Sequence, residues 1–277
     1  MCGDAGDPAS SIGLVLFDAP TWLLALIIVA VVFGATLFGL LIGGRSRHLA
    51  ENLGEPLGVL QGALLGVVGL ILAFGLSLAL SRYEDRRATV VEEANTIGTT
   101  YLRAQMLEPD VAAPSLRLLA RYSDSAVEVA DRMPGSAEEN DAIAEEEEIQ
   151  GELWKLARRA MADQPNQNAP GLYVESLNDM IDAQATREAA LSNRVPVPVY
   201  ILELLGAAIA LALLAGYLEL IGRGTHAVFL VAGLVALLLF ITADLDRPTR
   251  GPIKVPDTPL ANDYGEIEGS ATSPASP

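Results

Sequence analysis

Apolar positions along this chain fall into four long blocks with polar stretches between them. They are TWLLALIIVAVVFGATLFGLLIGG, LGVLQGALLGVVGLILAFGLSLALS, PVPVYILELLGAAIALALLAGYLELIG and AVFLVAGLVALLLFITADL. Each is roughly 19 to 27 residues long, enough to cross a hydrocarbon core of about 30 Å at 1.5 Å of rise per helical residue. The pattern predicts membrane spans over 21–43, 57–81, 198–222 and 226–245. The second block has an unusual continuation. No proline follows it before Pro109, and Val90, Ala94, Ile97 and Tyr101 keep the spacing of one helical face. The pattern therefore predicts a single helix from Leu57 to Met106 that leaves the membrane without stopping.

Between spans two and three the periodicity predicts three further helices. Leu116, Leu119, Val127 and Met133 mark the first. Ile149, Leu153, Leu156, Ala160 and Met161 mark the second half of a helix over about 136–163. Leu177, Ile181, Ala185 and Ala189 mark a third over about 172–194, before Pro196 and Pro198 lead back into the membrane. The expected fold is an all-α membrane protein. Its four transmembrane helices carry a helical bundle over 82–197, built from extensions of spans two and three plus two further helices. Residues 1–19 read as a flexible acidic tail, and 246–277, rich in Pro, Ser and Thr, as a mostly disordered C-terminal segment.

Composition supports two solvents. The 277 residues are 51% hydrophobic with a formal net charge of -17 and a mean hydropathy of +0.35. Residues 82–197 hold 22 of the 35 acidic and 12 of the 18 basic side chains, so charge is segregated from the apolar blocks. No basic stripe able to release counterions from phosphates is present, which excludes nucleic acid as a partner. Cys2, the single cysteine, excludes an intrachain disulfide. The start lacks a basic n-region, so the first span is expected to stay uncleaved. Counting Lys and Arg beside the spans places Arg82, Arg86, Arg87, Arg187, Arg194, Arg247, Arg250 and Lys254 on one side and Arg45, Arg47 and Arg223 on the other. The positive-inside rule then puts both termini and the 82–197 region of this multi-pass protein in the cytoplasm.

Several groups could carry function. Gly62, Gly66, Gly69, Ala73 and Ser77 repeat at intervals of three or four along span two and form a small-residue face, read as a packing seam or as a pore wall. Arg82, Arg86, Arg87, Arg194 and Arg247 are predicted to gather at the inner surface with Asp244 and Asp246. They would pair with lipid phosphates, or form an electropositive vestibule that raises local anion concentration. Asn95 and Asn178 lie beside apolar stripes and are expected to meet as buried polar contacts of the bundle. Glu203 and Glu219 lie within span three, about 160° apart, so they form no acidic file. The run Glu145 to Glu148 points around its helix and reads as a solvated face instead of a calcium site. His48 and His226 fall in separate loops. No Gly-rich phosphate loop, HExxH or GxSxG motif is present, so no catalytic residue, cofactor or metal is expected.

RYEDRRATVVEEANTIGTTYLRAQML at 82–107, LNDMID at 177–182, NRVP at 193–196 and DLDRPTRG at 244–251 together resemble the bestrophin-like domain family over roughly 54–260. Members are mostly bacterial membrane proteins of unassigned function, distantly similar to bestrophins, which are oligomeric chloride channels gated by calcium. The aromatic pore neck and calcium-clasping acidic motif of true bestrophins are not recognisable here, so no bestrophin functional residue is carried over. The resemblance implies a homo-oligomer in the lipid bilayer, with an inorganic anion as ligand and a channel or transporter function. The other reading is a non-conducting scaffold or sensor acting through the helical domain.

Overall fold

The computed structural model describes residues 19–45, 50–132, 136–222, 225–248 and 251–272. These form α1 (Thr21–Arg45), α2 (Ala50–Ala104), α3 (Pro109–Asp131), α4 (Ala137–Asp163), α5 (Asn168–Ser192), α6 (Val197–Leu220), α7 (Thr225–Leu245) and α8 (Thr258–Thr272). No strand occurs among the described residues. The expected N-terminal tail, up to residue 18, lies outside them, as do Cys2, Arg47, His48, Met133, Arg223 and Arg250. Among the described residues, four helical stretches are long and apolar enough to cross a membrane. The 55-residue α2 runs unbroken from its apolar half into its polar half.

The chain divides into two compact units, one of residues 1–83 with 194–254 and the other of residues 84–193 with 255–277. In the first, α1, α6, α7 and the apolar half of α2 share a core of Leu24, Ile28, Val32, Val68, Leu72, Ala207, Ala210, Leu211, Ala232 and Ala236. Its alanines let backbones approach closely where van der Waals packing must hold the helices together. Helices α1 and α6 approach each other closely. A methyl added at Gly39 would run into the Ala212 carbonyl, and one added at Gly43 into the Gly216 carbonyl.

In the second unit, the polar half of α2 packs with α3, α4 and α5 around Ile97, Leu119, Tyr122, Ile149, Leu153, Tyr173, Leu177 and Met180. Pro109 starts α3 at a position where a missing N–H breaks no helical bond. The expectation of a mostly disordered C-terminal segment is corrected over 258–272, which form α8. Leu260 and Ile267, seven residues apart and therefore on one helical face, are buried in this core. Docking supplies the stability that a 15-residue helix with two internal glycines lacks in isolation.

Candidate functional site

The DLDRPTRG block ends α7 and ties its own unit together. Asp246 accepts the Val195 N–H at 2.8 Å and the Tyr200 hydroxyl at 3.2 Å. Arg247 is buried and donates to the Ala19 carbonyl. Asp244 accepts the Ile253 N–H at 3.0 Å. Its carboxylate lies where a side chain on Gly251 would stand, and Gly251 has φ +87°. Only glycine adopts that backbone freely. Gly251→Ala is therefore expected to lower the thermal stability of this unit by more than about 1 kcal/mol, as read from its melting in detergent. An unchanged melt would mean that the turn relaxes without the Asp244 contact.

The predicted arginine group divides into unlike members. Arg86 is buried and donates from Nε to the Ala190 carbonyl at 3.3 Å and from Nη2 to the Asn193 carbonyl at 2.8 Å. It thereby satisfies carbonyls at the end of α5, as a cation at a helix C-terminus does. Arg86 and Arg247 thus spend donors on backbone carbonyls and do not line an open vestibule. Arg87 is exposed, 3.8 Å from Glu84. Arg82 and Arg194 are half-buried.

The small-residue face of α2 points away from its own unit. Gly62, Gly66, Gly69, Ala73 and Ser77 are all exposed, and an added methyl at any of the three glycines would meet nothing within 4 Å. The face that packs within the chain holds Val68, Leu72, Gly75 and Ala79 instead. Glu203 of α6 lies against Gly75, in the space its missing side chain leaves, and is buried. Glu219 is half-buried.

Asn95 and Asn178 require a correction, because neither is buried. Each amide follows a buried residue, Ala94 or Leu177, and one position turns a side chain about 100° out of the stripe. Asn178 donates instead to Asp182, 3.1 Å away on the surface of α5.

The bundle's polar contacts lie elsewhere. Arg187 of α5 is fully buried, with Nε against Glu93 of α2 and Nη2 3.9 Å from Glu146 of α4. Gln184 donates to Glu146 at 2.6 Å and to Glu188 at 3.0 Å. Gln150 donates to Gln184 and, at 3.3 Å, to the Tyr122 hydroxyl of α3. Burial pushes the Glu146 carboxyl up to about 8 against the opposing pull of Arg187. It raises Glu93 as well. Burial also takes the Tyr122 hydroxyl well above its ordinary value, with Glu93 and Glu146 adding to the effect. Desolvation opposes the charge on Arg187, but the two carboxylates more than offset it and leave the guanidinium raised.

Glu146 thus departs from the solvated face expected of Glu145 to Glu148, while its three neighbours remain exposed. The usable signal was its place on a stripe with Ile149, Gln150 and Leu153, at offsets of three, four and seven. Glu93 leads a similar stripe through Ile97 and Thr100, all buried.

The Bestrophin-like domain matches residues 25–260. The chain belongs to the bestrophin-like family. Its fold is that of solved bacterial bestrophin homologues. One from Klebsiella pneumoniae aligns at TM-score 0.64 and 15% identity, covering 86% of this chain and 97% of that one. A point mutant of a Klebsiella pneumoniae homologue aligns at 0.67 and 13% identity, covering 89% and 99%. A third structure, described only as a mutant membrane protein, aligns at 0.65 and 13% identity, covering 87% and 99%. No functionally curated protein matches this sequence. Within the family blocks, Arg86 holds the carbonyl of Asn193 in NRVP, and Asp246 of DLDRPTRG holds its Val195 N–H. These motif residues fix backbone on either side of the α5–α6 connection.

Proposed function

We propose that this bestrophin-like protein is an anion channel or transporter of a bacterial inner membrane, with its termini and the 82–197 region cytoplasmic. It works as a homo-oligomer whose α2 helices turn their small-residue faces to a shared axis. The observation carrying this reading is the uncovered face itself. Gly62, Gly66, Gly69, Ala73 and Ser77 have no cover within their own unit although the adjoining face of the same helix is packed. Small side chains leave room for a hydrated path or for close approach of a second copy.

Arg82 and Arg87 follow the apolar half of α2, where their field would raise anion concentration near such a path. The field weakens with salt, as the Debye length falls from about 10 Å at 0.1 M to about 3 Å at 1 M. In planar bilayers the wild-type protein is expected to conduct chloride. The Arg82→Gln, Arg87→Gln double variant is expected to lose chloride over potassium selectivity by up to about tenfold, mainly at low salt. Arg86 is left intact because its donors hold α5. Absence of conductance from well-folded protein would overturn the channel reading in favour of a scaffold or sensor. A monomer in native membranes would overturn the shared axis.

A further inference from the structure

We propose that the buried Glu93–Arg187–Glu146 cluster is a proton-binding site. Two carboxyls share one proton against a single arginine, and its occupancy sets how firmly α2 and α4 are held to α5. This holds independently of whether the protein conducts.

The charges in the cluster do not balance without a proton. Glu93, Glu146 and Arg187 are each no more than 1% exposed. One guanidinium balances one carboxylate, so a second carboxylate would stand uncompensated in the core, at a cost several times that of a surface charge. A metal ion does not resolve the imbalance, because the guanidinium already occupies the position near both carboxyls. A proton does, by binding a carboxylate oxygen and returning to the aqueous phase when it leaves.

Neighbouring charge reinforces this need. Glu188 on α5 adds negative potential at both carboxyls, while Gln184 donates to Glu146 and Tyr122 on α3 stays neutral. Glu93 Oε1 and Arg187 Nη1 have no hydrogen-bond partner among the described residues, so no alternative donor set stabilises a doubly ionised pair.

Glu146, pushed up to about 8, keeps its proton through neutrality in the folded bundle, whereas an unfolded chain releases it near the ordinary 4.5. The folded state binds more protons across that interval, so stability falls as pH rises from about 4.5 to about 8 and levels off above it. Because Glu93 sits on α2, the same helix that carries span two, proton loss acts on that helix directly.

Infrared difference spectroscopy on the full-length protein in lipid, between neutral and alkaline buffer, tests the site. Wild type is expected to lose a protonated-carboxyl band on alkalinisation. Glu146→Gln and Glu93→Gln should each lack that band, because removing either carboxylate leaves one for the arginine and abolishes the shared proton. Hydrogen exchange read alongside should speed up in α4 and in the 88–100 part of α2 on alkalinisation in wild type, but not in Glu146→Gln. A wild-type spectrum without a protonated carboxyl assignable to the cluster would overturn the proposal without reliance on any variant. Persistence of the full band in both single variants would overturn it too.

Discussion

Replacing Arg187 with methionine is expected to destabilise the helical bundle by about 3 to 5 kcal/mol, since it leaves the one ionised carboxyl of the Glu93–Glu146 pair buried without a counter-charge. Fluorescence reads this directly. The chain has two tryptophans, Trp22 in α1 and Trp154 in α4. A Trp22→Phe background leaves Trp154 as a reporter of the bundle alone. Denaturant should then unfold the Arg187→Met form at a markedly lower concentration. Changing Glu93 and Glu146 to leucine in the same chain should restore most of the loss, because a well-packed apolar replacement of a buried ionic cluster is often neutral or stabilising. If Arg187→Met unfolds like wild type, the cluster does not hold the bundle by charge.

The glycines of α1 and α2 should respond in opposite ways to the same substitution. Gly39→Leu forces a side chain into the Ala212 backbone, which no rotamer avoids, and should cost at least the roughly 1 to 3 kcal/mol typical of overpacking. Loss of monodisperse folded protein in detergent is the expected result. Gly66→Leu meets open space within one chain. It should leave the monomer's melting temperature unchanged while reducing the oligomer fraction measured by native mass spectrometry. An unchanged oligomer fraction in Gly66→Leu would mean that the Gly66 face has no role in association.

These two sites mark what the sequence could and could not convey. Spans and the unbroken α2 were legible because hydropathy and helical period are local properties. The small-residue repeat on α2 was equally visible, but not which small-residue helix packs inside the chain. Gly39 and Gly43 are a shorter version of the same pattern, and only their partner on α6 distinguishes them. The acidic run hid Glu146 because composition averages over residues whose directions differ by about 100°. Asn95 and Asn178 lie beside the buried stripes but one position outside them. Helix α8 escaped because the value of residues such as Leu260 and Ile267 depends on a surface assembled from elsewhere in the chain.

Helix α8 also sets the order in which the protein can be completed. The bundle built from α2 to α5 is interrupted in sequence by the membrane hairpin of α6 and α7, and only then does α8 supply Leu260 and Ile267 to the same core. Synthesis delivers those residues after α6 and α7, and contacts far apart in sequence form slowly because loop closure comes first. A chain stalled before α7 therefore leaves that core without Leu260 and Ile267. The core of this unit therefore closes only after α6 and α7 have been synthesised.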